Sequence, residues 1–115
     1  MPNLLFICSR NRLRSPTAEA VFGAIDGIET QSAGLAADAE CIVSADMLAW
    51  ADVIFVMEPA HGRKLSRRFG PHLRGKRVVC LHVRDVYTYM DPRLIDLLWT
   101  IVPRSVPALR GAKPQ

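Results

Sequence analysis

No apolar run in this chain approaches the roughly 20 residues that cross a bilayer as a helix, so a membrane-spanning helix is excluded. The start, Met1-Pro2-Asn3, lacks a basic segment, and the apolar run behind it stops within a few residues, so no secretory signal is expected. Cysteine is scarce and odd in number: Cys8, Cys41 and Cys80 lie far apart. That arithmetic fits neither a disulfide framework nor a zinc pattern, and it points to reduced thiols in the cytoplasm. Aromatics are few, at 7 %, and no recognition motif accompanies the net charge of +4, which argues against nucleic acid as a partner. His61, His72 and His82 show no metal-like spacing, so no metal and no cofactor are expected. Nor is there an internal repeat or a domain linker.

What remains is a chain of 115 residues, half of them hydrophobic, which is enough for one domain with a core of its own. Asn3 to Ile7 reads as a short buried strand. Ser15 reads as the cap of the next helix with Pro16 at its first position, and Ala18, Val21, Phe22 and Ile25 follow helical spacing up to Gly27. A second strand is expected over Ile28 to Ser32, closed by Ala33-Gly34, and a loop over Leu35 to Glu40. Ser44 caps a helix carrying Met47, Leu48 and Ala51, and Asp52 to Met57 is the clearest strand in the chain. A basic helix over Pro59 to Phe69 and a fourth strand over Arg77 to Val83 follow. Asp91-Pro92 caps a last helix with Leu94, Ile95, Leu98 and Ile101 on one face. Alternation of this kind predicts a single α/β domain, a three-layer sandwich around a four-stranded parallel sheet. The domain is expected over residues 1–103, with 104–115 a loosely ordered tail rich in proline.

The rest is organised around one stretch, Leu4-Leu5-Phe6-Ile7-Cys8-Ser9-Arg10-Asn11-Arg12-Leu13-Arg14-Ser15-Pro16. Strand, loop and helix in that order form a phosphate-binding layout, because the loop amides and the helix N-terminus both point at an anion between them. Cys8 opens the loop and Arg14 ends it, which adds chemistry to binding. A helix N-terminus, backbone amides and a nearby cation all favour a thiolate, the nucleophilic form. Cys8 would attack phosphorus and form a phosphocysteine, while the Arg14 fork and the amides of Ser9, Arg10, Asn11, Arg12 and Leu13 hold the phosphate oxygens. Ser15 is placed to hydrogen-bond the sulfur and improve it as a leaving group. The plain alternative is a buried cysteine and a surface arginine that merely happen to share this spacing.

Cys8-x5-Arg14-Ser15, with Asn11 inside the loop and Pro16 after it, resembles the signature of the low-molecular-weight protein tyrosine phosphatases. The resemblance runs from Leu4 to about Ile101. It implies that Asn11 holds the loop by bonding Ser32 of Ser32-Ala33-Gly34. It also implies a general acid after the last strand, in an Asp-Pro-Tyr segment. This chain offers Asp85-Val86-Tyr87 and, further on, Asp91-Pro92-Arg93. Asp85 is favoured and Asp91 is the alternative, since Asp91 is also explained as a helix cap. Tyr87 would then line the substrate mouth.

The sequence departs from the family pattern where Arg10 replaces a usual glycine, and where Leu35, Ala36 and Ala37 supply no aromatic wall. A mouth ringed by Arg10 and Arg12 suits a more acidic or smaller phosphoester than phosphotyrosine. The expected partners are a phosphorylated protein or a small phosphoester, with phosphate or sulfate in the loop. Two other readings stay open: a phosphate-binding module with little turnover, and an arsenate reductase, against which the lack of a closely spaced downstream cysteine pair argues.

Overall fold

Leu4, Leu5, Phe6 and Ile7 alternate between two apolar environments, and all are fully buried. A strand hidden on both faces reads as an unbroken apolar run, and this one is the centre of a parallel sheet. The structure, a computed structural model, describes residues 2–111. The strands are β1 (Asn3–Cys8), β2 (Glu29–Gly34), β3 (Val53–Val56) and β4 (Arg77–Cys80), in the order β2-β1-β3-β4 and all parallel. Cys8 pairs with Gly34, and Ile7 with Val56, which in turn pairs with Cys80, so the carboxyl ends of the strands share one edge. The chain leaves β1 to one side for β2 and returns to the other side for β3, and ligands of such sheets bind at that switch point. Cys8 stands there.

The helices are α1 (Arg14–Gly23), α2 (Ala45–Trp50), α3 (Pro59–Phe69) and α4 (Pro92–Ile101). Two cores separate by strand parity. Leu4, Phe6 and Phe55 pack with Phe22 of α1 and with Leu94, Leu98 and Trp99 of α4. Leu5, Ile7, Ile54 and Val56 pack with Leu48 of α2 and Leu65 of α3. The Phe6 ring stacks between Phe22 and Phe55, with centroids 5.8 and 5.1 Å away. The three-layer α/β sandwich expected from the sequence is the fold.

Four expectations need correction. α1 ends at Gly23, one turn early, and Gly27 instead makes the left-handed turn (φ 85°) into β2. β2 runs on through Ser32-Ala33-Gly34, because pairing with β1 continues to Cys8. β4 stops at Cys80 because His82 takes a positive φ of 55°, although the Leu81 and Val83 amides still bond Val56 O and Met57 O. The segment 104–111 is packed rather than loose. Pro103 and Pro107 sit in short 3-10 turns, Val106 and Leu109 are buried in the α1–α4 core, and Arg77 Nη1 donates to Ser105 O. Apolar side chains three positions apart give this stretch a face to bury, which outweighs its proline content. The rest of the expected tail, 112–115, lies outside the described residues.

Candidate active site

The loop between β1 and α1 turns tightly, and Asn11 takes the left-handed backbone (φ 57°) that asparagine tolerates. That turn aims the Asn11 N–H at Cys8 Sγ, 3.2 Å away. The sequence reading made Ser15 the cap of α1, and it is not. Leu13 occupies the cap position and offers no capping oxygen, and Ser15 lies buried inside the first turn. Its Oγ accepts from Asn11 Nδ2 at 3.0 Å and lies 2.9 Å from Cys8 Sγ. Either atom can donate across that contact; facing a thiolate, the Ser15 hydroxyl is the donor. The uncapped first-turn amides remain turned toward the loop, where the helix dipole favours an anion.

Ser32 does not hold Asn11. Its Oγ donates to Glu19 Oε1 at 2.6 Å. Ser32 pairs with Phe6 in register, on the face covered by α1, so Glu19 is its neighbour and Asn11 is not. Ser15 takes over the role that the resemblance implied for Ser32.

Arg14 has a side chain only 5 % exposed. Its Nη1 donates to Glu58 Oε1 at 2.5 Å and to Val83 O at 2.8 Å, and its Nε lies 3.7 Å from Asp85 Oδ1. Asp85 is exposed and reaches over the loop. Asp91 faces elsewhere: it caps α4, accepting from Arg93 N, and its carboxylate pairs with the Arg93 side chain, whose hydrogen bonds hold it below the usual carboxyl range. The geometry therefore places Asp85, not Asp91, beside Arg14. Tyr87 does not line the mouth. It is half-buried against the α1–α4 core, with the Arg93 guanidinium 5.6 Å over its ring.

A cavity of about 420 Å³ opens above the sulfur, lined by Cys8, Ser9, Arg10, Arg12, Leu13, Arg14 and Asp85. All seven were expected from the sequence, and the tertiary fold brings Asp85 to the others. Among the described residues no three of His, Cys, Asp or Glu form a group that would hold a metal. No helix there is long and apolar enough to cross a membrane.

Two residues were missed. Glu58 opens α3, and hydrogen bonding to Arg14 holds its carboxyl below the ordinary range against the opposing effect of burial. His61, expected to be structural or on the surface, is 6 % exposed and sits behind the phosphate loop. Its Nδ1 accepts from Glu58 N–H at 3.0 Å, so Nε2 carries the proton that reaches Ser9 Oγ at 3.1 Å. Burial, and then the Arg14 charge, hold His61 below its ordinary value, which keeps it in this neutral form. Both residues follow the carboxyl end of β3. The rule that drew attention to Asp85 after β4 applies there equally.

No sequence-family profile matches this chain, and no curated protein matches it. Solved structures do. The tyrosine phosphatase AmsI of Erwinia amylovora superposes with a TM-score of 0.73 at 24 % identity, over 94 % of this chain and 93 % of that one. The tyrosine phosphatase Wzb of Escherichia coli K30, solved with phosphate, gives 0.70 at 24 % identity, over 95 % and 99 %. The YwlE arginine phosphatase of Geobacillus stearothermophilus gives 0.72 at 17 % identity, over 100 % and 99 %. At these identities the likeness is one of architecture: the chain has the fold of the low-molecular-weight protein tyrosine phosphatases.

Proposed function

We propose that this chain is a cysteine-dependent phosphomonoester hydrolase that works through a phosphocysteine. The observation that carries the reading is the shared cavity of Cys8, Arg14 and Asp85, with the sulfur bonded by Asn11 N–H and Ser15 Oγ. Those contacts suit a thiolate that accepts hydrogen bonds. The thiolate attacks phosphorus, the P–O bond to the leaving group breaks, and Asp85 in its acid form gives that oxygen a proton. The Asp85 carboxylate then takes a proton from water as the water attacks phosphorus, the S–P bond breaks, and phosphate leaves with the thiolate restored. Arg14 and the loop amides stabilise charge on the equatorial oxygens in both steps. Ser15 donates to the departing sulfur in the second.

Inorganic phosphate or sulfate would fill the same loop, and the substrate is a phosphorylated protein or a small phosphoester. Three free thiols support a reducing compartment such as the cytoplasm. Neither Cys41 nor Cys80 lines the cavity with Cys8, so nothing supports a resolving thiol or arsenate reduction.

The test is hydrolysis of an aryl phosphate in the presence of a chelator, with wild type and Cys8→Ser. Turnover in wild type that is lost in Cys8→Ser supports the reading. Phosphate binding without turnover in the wild type would replace it with a phosphate-binding module.

A further inference from the structure

The outer wall of the cavity is cationic where a ring-binding site would be aromatic. Arg10, Arg12 and Leu13 form it, and no aromatic side chain is among the lining residues. Arg14 is buried beneath the loop, whereas Arg10 and Arg12 are exposed on the cavity rim.

Each is braced from behind. Arg10 Nε lies 3.7 Å from Asp38 Oδ2, and Arg12 Nε lies 3.9 Å from Glu40 Oε1. Neither carboxylate lines the cavity, whereas both arginines do. The acids sit on a loop zipped to the phosphate loop by Ala36 N to Ser9 O at 2.8 Å and Glu40 N to Arg10 O at 3.1 Å. Gly34 permits that approach, since a Cβ there would lie 2.6 Å from Ser9 O. The ion pairs use the Nε side of each guanidinium and leave the two terminal nitrogens for an incoming acceptor. Exposed pairs at these distances are weak, so a competing anion has little to displace.

We propose that the site takes phosphomonoesters carrying a second anionic group, a carboxylate or another phosphate, and that Arg10 and Arg12 bind that group. The proposal rests on the phosphatase reading only for the phosphate itself. Among the lining residues an uncharged ring finds one aliphatic side chain, Leu13. A cation next to the phosphate meets two like charges. A second anion meets two guanidinium forks, each with paired donors.

The test compares benzylphosphonate with its 4-carboxy analogue, neither of which is turned over, by calorimetry on the wild-type chain. The carboxylate should bind roughly tenfold tighter at low ionic strength, with the gap shrinking in salt. In R10Q/R12Q the two affinities should become equal, whereas R63Q/R67Q, on the exposed face of α3, should keep the preference. Equal affinities in wild type, or a preference that survives R10Q/R12Q, would overturn the proposal and leave the phosphatase reading to its own turnover test. Failure of both ligands to bind would overturn the two together. A matched pair of phosphotyrosyl peptides, with Asp or Asn beside the phosphoresidue, separates the sources. A similar gain in the peptide supports the proposal with an acidic protein substrate, and a gain confined to the small ligand supports it with a metabolite.

Discussion

Arg14 and Glu58, 44 positions apart, are joined Nη1 to Oε1 at 2.5 Å. The arginine is buried and the glutamate partly exposed, so the pair points the guanidinium at the loop before any substrate arrives. The same short turn after β3 carries His61, whose ring reaches Ser9 at the other end of the loop. One capping turn of α3 thus grips the phosphate loop at both ends.

Glu58→Gln should therefore cost activity more than stability. The amide retains shape and one acceptor but loses the charge that orients Arg14. We expect kcat/KM to fall about tenfold. Stability should fall by about 1 kcal/mol, the low end for a buried group losing a partner, because Val83 O remains and water reaches Glu58. Steady-state kinetics and urea denaturation of one preparation check both. Unchanged kcat/KM would show that Arg14 needs no such guide.

Asp85→Asn and Asp91→Asn should separate chemistry from capping. Loss of a general acid lowers kcat by roughly 10²–10⁴ for a poor leaving group, and by less for nitrophenyl phosphate. Asp91→Asn should lower the melting temperature through α4 and leave kcat near wild type, since Asp91 is spent on Arg93. The reverse pattern would move the acid to Asp91.

His61 makes stability depend on pH. Burial and Arg14 hold its folded value below the ordinary 6.5, so between those two values the unfolded chain binds a proton that the folded chain does not. Stability from this group is complete above about pH 6.5 and is lost as pH falls toward the folded value. Protonation of Nδ1 would also break its bond from Glu58 N–H. Urea midpoints from pH 8 to 5 should fall in wild type, and the slope should flatten in His61→Gln. A wild type that gains stability on acidification would contradict this.

Gly34→Ala should damage the site through packing. Its Cβ would meet Ser9 O and Ala39 Cβ, each at 2.6 Å, and backbone cannot yield as a flexible side chain does. We expect a loss of roughly 1–3 kcal/mol and weaker phosphate binding. Gly70→Ala, with ordinary backbone and open space around it, should do neither. Equal melting temperatures for the two variants would rule out the tight approach of the loops.

The Cys8–Arg14 loop was legible because its geometry is local. A buried run, a left-handed asparagine and a helix start lie within a few residues, so spacing alone maps onto shape. Legibility failed wherever a side chain had several equally plausible neighbours. Ser32 had the expected place in sequence, but its register with Phe6 turned it to Glu19. Tyr87 was close to the acid in sequence and packed away from it in space. Glu58 precedes and His61 opens a run that reads as an ordinary basic helix, and only its position behind the loop gives them work to do.

The sequence by itself determined the alternation of strands and helices, the cysteine and arginine at the two ends of the loop, and the two candidate acids. Those depend on periodicity and short-range spacing, which the covalent chain imposes directly. Only the tertiary structure set Asp85 rather than Asp91 beside Arg14, placed Glu58 on Arg14, gave Asn11 to Ser15 rather than Ser32, and buried Val106 and Leu109 in the core. Each of those choices depends on which strands lie side by side, in what register and with which face outward, and pairing across the sheet settles that at distances along the chain that no local pattern spans.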